Sequence, residues 1–253
     1  MNPVIVKNCR IGEGRTKIIV PIVGATRQEI LSEAATFQDL PVDVVEWRID
    51  WYEDALRAEK VVETADALRA ALDGIPLLAT FRTAKEGGER DIAPKDYARL
   101  LKAVCACGAA DMIDVELFTG DEIVSDLIAV AHAAGVKVVA SSHDFHGTPS
   151  QSDIVYRLRR MQDMGADIPK IAVMPRSRRD VLTLLAATEE MATDFADRPI
   201  ITMAMGGLGV ISRLVGESMG SAMTFGAATK ASAPGQIGVK ELDGVLDVIH
   251  HSL

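Results

Sequence analysis

The pattern that decides the fold appears in full between Lys137 and Met174, KVVASSHDFHGTPSQSDIVYRLRRMQDMGADIPKIAVM. A β-branched run is followed by a polar turn, then by a segment with apolar residues at helical spacing, then by a second short apolar run. This order predicts a strand, a crossover helix and a second strand parallel to the first. We expect the helix over 152–164, with Ser152 as its N-cap and Gly165 as the residue that ends it.

The same unit recurs along the chain, and eight short runs are predicted as strands. They cover 17–22, 44–48, 77–82, 112–116, 137–141, 170–174, 200–203 and 222–225. Consecutive runs are separated by about 30 residues, which is the length of one strand–helix–strand unit. Eight such units favour the α/β class and a closed (β/α)8 TIM barrel over an open sheet. A further helix is predicted over 180–195, where apolar residues again follow helical spacing.

The first sixteen residues do not follow this unit. Val4–Val6 and Ile11, joined through the glycine-containing segment 12–14, predict a β-hairpin before the first barrel strand. No linker or low-complexity tract divides the rest of the chain. We therefore expect residues 1–253 to form one barrel domain, with 1–16 as an N-terminal hairpin.

Composition excludes several classes of function. Apolar residues make up 48% of the 253 residues and charged residues 25%, which is typical of a globular protein with a large core. The net charge of -9 and the lack of a basic stripe argue against a nucleic-acid partner. No segment approaches the roughly 20 apolar residues of a membrane span, and no signal segment is recognised. We expect a cytoplasmic protein with reduced cysteines, because an odd number, three, is unlike a secreted disulfide scaffold.

Polar residues follow the predicted strands at the end of the barrel where active sites are built. They are Glu46 and Arg48 after strand two, Arg82 after strand three, 142–144 after strand five, Arg213 after strand seven and 232–236 after strand eight. Three arginines at one mouth predict a small, anionic and hydroxylated ligand, because guanidinium groups bind carboxylates in a bidentate manner. Alternatively, each arginine makes only a structural ion pair, as Arg48 could with Glu46.

Two further residues are candidates for proton transfer and covalent chemistry. His143 has an ordinary pKa near 6.5 and can take and give a proton at neutral pH. A metal site with His146 is the alternative, although no third ligand is evident. Lys170 opens an apolar run, where a lysine is usually a solvated charge at a strand edge. If its side chain instead points into the barrel, an unprotonated amine there could attack a ketone.

The chain resembles type I 3-dehydroquinate dehydratases along essentially its whole length. The segments that carry the resemblance are 46–50 (EWRID), 80–88 (TFRTAKEGG), 111–117 (DMIDVEL), 142–145 (SHDF), 166–174 (ADIPKIAVM), 211–213 (ISR) and 232–236 (SAPGQ). Seven blocks in order and at the right separations are a specific signal. The resemblance implies an enzyme that removes water from 3-dehydroquinate through a Schiff base, by syn elimination, to give 3-dehydroshikimate.

The resemblance also implies roles for individual residues. Lys170 would form the imine with the substrate ketone, His143 would act as base and then as acid, and Glu86 would orient His143. The residues implied to contact the substrate are Glu46, Trp47, Arg48, Arg82, Arg213, Ser232, Gln236, Met203, Met205, Phe225 and Pro21. Members of the family often have a serine where this chain has Pro21, so one hydrogen bond to the substrate is expected to be missing.

Family membership would further imply a homodimer of the shikimate route that uses no metal and no nucleotide cofactor. Two other functions are weighed against this one. A class I aldolase is also a Schiff-base barrel, but it usually handles sugar phosphates, and the glycines of 205–209 are only a weak phosphate-loop signal. A non-catalytic barrel that senses the ligand would be expected to lack Lys170 or His143, and both are present.

Overall fold

The computed structural model describes residues 2–228 and 232–253. Its strands are β1 Val4–Val6, β2 Cys9–Ile11, β3 Lys17–Ile22, β4 Val44–Arg48, β5 Leu77–Thr80, β6 Met112–Glu116, β7 Lys137–Asp144, β8 Ile168–Val173, β9 Ile201–Ala204, β10 Met223–Ala227 and β11 Ile237–Gly238. Its helices are α1 Arg27–Ala35, α2 Ala58–Ala71, α3 Pro94–Cys107, α4 Asp121–Ala133, α5 Gln151–Asp163, α6 Arg178–Glu190, α7 Val210–Leu214, α8 Gly216–Met219 and α9 Val239–His250. Within the described ranges, none of these helices has both the length and the hydropathy of a transmembrane segment.

Strands β3 to β10 form the predicted eight-stranded parallel barrel. From β3 to β9 they follow one another in chain order, and β10 returns to pair with β3. The two ends of the sheet meet where a parallel bridge joins Ile200 to Ser221. The N–H of Ala222 donates to the carbonyl of Ile200 at 2.8 Å across this seam. The (β/α)8 prediction is therefore confirmed, with the short strand β11 added beside β10.

Alternation along the strands divides the core into two layers. Ile19, Val44, Leu78, Met112 and Val139 share one buried cluster inside the barrel. Their neighbours in sequence point outward into the layer beneath the helices. Because successive side chains of a strand point to opposite faces, every second residue beyond these interior positions also points inward. The inward row of β4 is 44, 46 and 48, and that of β6 is 112, 114 and 116. In each row the first residue is apolar and belongs to the core, and the last two are charged and lie at the barrel mouth.

The N-terminal hairpin closes the opposite end of the barrel. Strands β1 and β2 are antiparallel, with Val4 opposite Ile11 and Val6 opposite Cys9. The prediction of a hairpin is correct, but its turn was placed wrongly, because the chain reverses at Lys7 and Asn8 and not at 12–14. Lys7 adopts the positive φ of 51° that the tight turn needs. Buried side chains of both strands join the interior cluster and so cap it at the N-terminal ends of the barrel strands.

Several predicted boundaries differ from the structure; the helix expected over 180–195 is Arg178–Glu190, and the strand expected over 77–82 is Leu77–Thr80. Helix α5 begins at Gln151, and its N-cap is Ser150, whose hydroxyl accepts the N–H of Asp153, so Ser152 is not the cap. Strand β7 continues to Asp144, which puts His143 on the strand and not in the loop after it. Strand β8 begins at Ile168 and not at residue 170, although a proline follows it. Lys170 therefore lies inside a barrel strand.

Candidate active site

A cavity opens at the C-terminal ends of the barrel strands. This position is where barrel enzymes build their active sites. The residues that line it are Glu46, Arg48, Arg82, Glu86, Gly87, His143, Phe145, Lys170, Ala172, Met203, Met205, Arg213, Phe225, Ser232, Ala233 and Gln236.

Lys170 lies at the bottom of this cavity. It belongs to the inward row of β8, and only 3% of its surface is exposed, which excludes a solvated lysine at a strand edge. Its Nζ lies 3.5 Å from Asp114 Oδ2 and 3.7 Å from Glu46 Oε1, and 4.5 Å from the centre of the Phe225 ring. A buried amine held by two carboxylates and an aromatic face has a fixed direction, which a nucleophile needs.

His143 and Glu86 form a second pair in the cavity. Nδ1 of His143 lies 2.9 Å from Glu86 Oε2, within hydrogen-bond distance, and the same oxygen accepts the His143 backbone N–H at 3.0 Å. Burial, together with the charges of Arg82, Lys170 and Arg48, holds the pKa of His143 well below its usual value. Its imidazole is therefore neutral at pH 7, and a hydrogen on Nδ1 leaves Nε2 free to accept a proton.

Glu86 reaches His143 from a short loop after β5. Burial raises the pKa of Glu86 to about 8, against the opposing effect of Arg82, whose Nη1 lies 3.6 Å away. The helical turn Ala84–Glu86 ends at Gly87, which has a φ of +83°. The positive φ favours glycine, and a Cβ at Gly87 would lie 2.2 Å from the ring of Phe145 and displace that side chain.

Arg82 is the centre of a buried charge network beside this pair. Its Nη1 lies 3.0 Å from Glu116 Oε1 and 2.9 Å from the hydroxyl of Ser141, and its Nη2 lies 2.8 Å from Asp114 Oδ1. Burial lowers the pKa of Arg82, but the nearby carboxylates outweigh it and raise the pKa well above the usual value. Arg82 is thus a cation whose charge the protein already neutralises.

Arg48 is compensated in the same way by a different carboxylate. Its Nε and Nη2 donate to Asp50 Oδ1 and Oδ2 at 2.8 and 2.7 Å, a bidentate pair in which Asp50 is fully buried. Glu46, the alternative partner considered from the sequence, instead accepts the hydroxyl of Thr80 at 3.0 Å. Both Arg48 and Arg82 therefore enter the cavity with carboxylate partners of their own.

Arg213 differs from the other two arginines. Within residues 2–228 and 232–253 no carboxylate pairs with it, and its buried Nε has no hydrogen-bond partner. Its contacts are the carbonyl of Pro234 at 3.2 Å and the sulfur of Met203 at 3.7 Å. Burial lowers its pKa to about 10, which still leaves it charged at pH 7. A buried guanidinium that faces a cavity without a carboxylate partner has the charge and the free donor to bind an anion.

The hydroxyl and amide beside Arg213 come from the segment before β11. Gln236 Oε1 accepts the N–H of Ser232 at 2.9 Å, and its amide nitrogen donates to the Ser232 hydroxyl at 3.0 Å. The cavity therefore combines a buried primary amine, a neutral histidine and a guanidinium that no described carboxylate pairs with. In the part of the chain that is described, no group of three or more histidine, cysteine or acidic residues is placed to hold a metal ion.

A family model for type I 3-dehydroquinase matches residues 18–253. The chain belongs to the type I 3-dehydroquinase family. A 3-dehydroquinate dehydratase of Clostridioides difficile (strain 630) is 52% identical over 248 residues, which are 98% of this chain and 97% of that protein. One of Salmonella agona (strain SL483) is 52% identical over 252 residues and the full length of both chains.

Solved structures of type I 3-dehydroquinases have the same fold. A crystal structure of the Clostridium difficile enzyme with covalently modified comenic acid has a TM-score of 0.97 and 52% identity, and covers 99% of both chains. The 3-dehydroquinate dehydratase of Geobacillus kaustophilus HTA426 has a TM-score of 0.94 and 38% identity, also over 99% of both chains. The family that the sequence motifs indicated is thereby confirmed.

The type I 3-dehydroquinase cavity contains most of the residues that the sequence singled out. Those that line it are Glu46, Arg48, Arg82, Glu86, His143, Lys170, Met203, Met205, Arg213, Phe225, Ser232 and Gln236. Trp47 does not, because it follows Glu46 on β4 and so points outward, where its ring lies 6.1 Å from that of Tyr52. Pro21 pairs with Glu46 in register on β3 but is not among the lining residues.

Asp114 is a site residue that the sequence reasoning missed. It is fully buried and lies between Lys170 and Arg82, and it also accepts the hydroxyl of Ser141 at 2.6 Å. Burial raises its pKa, but Arg82 and Lys170 outweigh this and lower it, so Asp114 is an anion. The signal was present in MIDVE, because the alternation of β6 puts both acidic residues on the inward row.

Proposed function

We propose that this chain is a hydro-lyase that converts 3-dehydroquinate to 3-dehydroshikimate through an imine on Lys170. The single observation that carries the proposal is the buried Nζ of Lys170 between Asp114 and Glu46, in the same cavity as the neutral His143. Family membership supplies the substrate, since relatives 52% identical over the full chain are 3-dehydroquinate dehydratases.

The first half of the reaction makes the substrate acidic. The ammonium of Lys170 first passes a proton to a neighbouring base, and the free amine adds to the C3 ketone. That proton then leaves with the hydroxyl of the carbinolamine as water, and a protonated imine remains. His143 Nε2 then takes the proton from C2, and the electron pair moves into the imine to give an enamine. A protonated imine accepts this pair more readily than a ketone, and Asp114 and Glu46 lie where they stabilise its positive charge.

The second half expels water and frees the enzyme. The nitrogen lone pair of the enamine re-forms the imine, and the electrons of its double bond form the C1–C2 double bond as the C1–oxygen bond breaks. The protonated His143 gives its proton to the departing hydroxyl. A single histidine performs both transfers because the proton and the hydroxyl leave from the same face. Water then adds to the conjugated imine, which restores the amine of Lys170 and releases 3-dehydroshikimate.

Substrate binding follows from the charges that the protein leaves unpaired. Among residues 2–228 and 232–253, Arg213 is a buried cation without a carboxylate partner, so we assign it to the substrate carboxylate, with Ser232 and Gln236 in the same cavity. Arg48, Arg82 and Glu46 line the same cavity, and we assign them to the ring hydroxyls. Their own partners keep them in place before the substrate arrives.

Borohydride reduction in the presence of 3-dehydroquinate is expected to attach the reduced ligand irreversibly to Lys170. Peptide mass analysis locates the adduct, and loss of turnover follows it in time. Lys137, which pairs with Asp167 at the other end of the barrel, is a matched lysine that we expect to stay unmodified. An unmodified Lys170 in protein that still turns over 3-dehydroquinate would contradict the imine.

Arg213→Met is expected to weaken substrate binding with less effect on the chemical step. Loss of charged hydrogen bonds to a carboxylate costs about 2–3 kcal/mol, which raises KM by about 10²-fold. Arg213→Lys keeps the charge but not the planar fork, and we expect an intermediate KM. Steady-state kinetics checks both, with Arg198→Met as the control, since Arg198 pairs with Asp197 away from the cavity. An unchanged KM in Arg213→Met would place the carboxylate elsewhere.

The wider setting of the enzyme also belongs to this proposal. We infer that residues 1–253 act as one domain and that the chain works as a cytoplasmic homodimer in the shikimate route to aromatic amino acids. Exposed apolar side chains such as Leu208, Ile211 and Val248 provide surface that a second copy could cover. Light scattering after size exclusion gives the mass in solution, and a monomer at micromolar concentration would contradict the dimer.

A further inference from the structure

Asp50 holds a position that links two parts of the active site. It is fully buried in the turn Ile49–Trp51 that follows β4, and it does not line the cavity. Its Oδ1 accepts a hydrogen bond from Arg48 Nε at 2.8 Å and one from the backbone N–H of Arg82 at 3.2 Å. Its Oδ2 accepts Arg48 Nη2 at 2.7 Å and the N–H of Glu89 at 3.1 Å. Each oxygen therefore serves one bond from Arg48 and one from the segment 82–90.

The segment 82–90 is the loop that carries Glu86. Its two ends are held together, because Thr83 and Arg90 form a parallel bridge and the N–H of Ala84 donates to the carbonyl of Arg90 at 2.9 Å. Arg90 Nε also donates to the backbone carbonyl of Asp50 at 3.0 Å. Asp50 thus contacts the beginning and the end of the loop, while Glu86 lies between them.

We propose that Asp50 is a positioning residue. It holds Arg48 and the loop of Glu86 in a fixed relative position, and through Glu86 it positions His143. A carboxylate with four donors around two oxygens has one preferred orientation, so a shift of the Glu86 loop disturbs Arg48 and a shift of Arg48 disturbs the loop. The inference rests on the proposed dehydratase function, because it concerns how that reaction is supported. Asp50 acts through Glu86 and touches neither the substrate nor the reacting atoms.

Asp50→Asn is the discriminating substitution because it preserves shape and removes acceptors. Whichever way the amide is turned, its NH2 group faces one N–H of Arg48 and one N–H of the loop. One bond to each side is therefore lost in either orientation. Misplacement of catalytic groups by about 1 Å can cost about 10²-fold in rate, and we expect kcat/KM of Asp50→Asn to fall on that scale.

The test is a double-mutant cycle with Glu86→Gln, read from kcat/KM and from its pH profile. The charged or titratable groups that face His143 are Glu86, Arg82, Lys170 and Arg48. If Asp50 acts through Glu86, the double variant loses less than the product of the two single losses. The acidic limb of the profile should then shift in Asp50→Asn as it does in Glu86→Gln. Multiplicative losses with an unshifted limb in Asp50→Asn would overturn the proposal.

Asp111→Asn is the matched control. Asp111 also accepts a backbone N–H, that of Leu77 at 2.8 Å, and pairs with Lys7 at 2.9 Å, but at the other end of the barrel. Turnover by the wild-type chain and by Asp111→Asn tests the proposed function by itself. If both controls turn over 3-dehydroquinate, the result for Asp50→Asn bears on the positioning role alone. If Asp111→Asn and Asp50→Asn differ from the wild type only in thermal stability, Asp50 is structural and the proposal is wrong.

Arg90→Met provides a second variant in case Asp50→Asn does not fold. It removes only the bond from Arg90 Nε to the Asp50 carbonyl, at a half-buried position, and leaves the carboxylate intact. We expect a smaller fall in kcat/KM, about tenfold, with the same shift of the acidic limb. An unchanged rate and pH profile in folded Arg90→Met would overturn the coupling between Asp50 and the loop.

Discussion

Replacing Lys170 with methionine is expected to lower kcat by more than about 10⁴-fold, the scale on which enzymes lose rate when a covalent nucleophile is removed. Without the amine, the ketone keeps its carbonyl and the C2 proton loses the electron sink that makes it acidic. Methionine fills nearly the same volume, so the shape of the cavity is preserved, while the contact of the ammonium with the Phe225 ring is lost. We expect the substrate to bind and fail to react.

Steady-state turnover and ligand binding by calorimetry separate these two effects. Lys137→Met is the matched control, because Lys137 also pairs with an aspartate, Asp167, but far from the cavity. The variant at 170 leaves Glu46 without its cation, whereas Asp114 keeps Arg82, so a folded protein of reduced stability is expected. Turnover of Lys170→Met within tenfold of the wild type would exclude the imine mechanism.

The barrel could be predicted from the sequence because its cause is local. Each strand is a short apolar run, and each helix has apolar residues at helical spacing. The repeat of about 30 residues indicates strand–helix–strand units and hence a parallel sheet. The hairpin turn was predicted wrongly because contacts distant in sequence decide it. The hairpin turns at Lys7 and Asn8 because Cys9 and Ile11 must face the interior cluster of the barrel, and no local pattern at 12–14 reveals that need.

The site was predicted in part for the same reason. Alternation on β4 was visible, and it already excludes Trp47 from the cavity once Glu46 points inward. The arginines were also visible, but their partners were not. Arg48 binds Asp50, and Arg82 binds Asp114 and Glu116, both on β6. Only tertiary structure distinguishes an arginine with a carboxylate partner from one without, and among the described residues it leaves Arg213 as the candidate for binding an anion.

His143 shows how charge and burial set a function that a motif only suggests. A histidine surrounded by Lys170, Arg82 and Arg48 cannot easily become a cation, and its pKa is held well below the usual value. Because the neutral form is the base, activity is lost as the pH falls through this lowered pKa and not at pH 6.5. We expect the acidic limb of kcat/KM below pH 6.5 in the wild type, and an acidic limb at or above 6.5 would contradict this.

His143→Ala is expected to lower kcat by about 10²–10⁴-fold, the usual contribution of a general acid–base group. Imine formation at Lys170 should persist, so borohydride is expected to trap more adduct in this variant than in the wild type. His132→Ala is the control, since His132 also contacts a carboxylate, at 2.7 Å from Asp167, on the opposite side of the barrel. Full activity in His143→Ala, or an adduct that no longer forms, would remove His143 from the role of base that follows the imine.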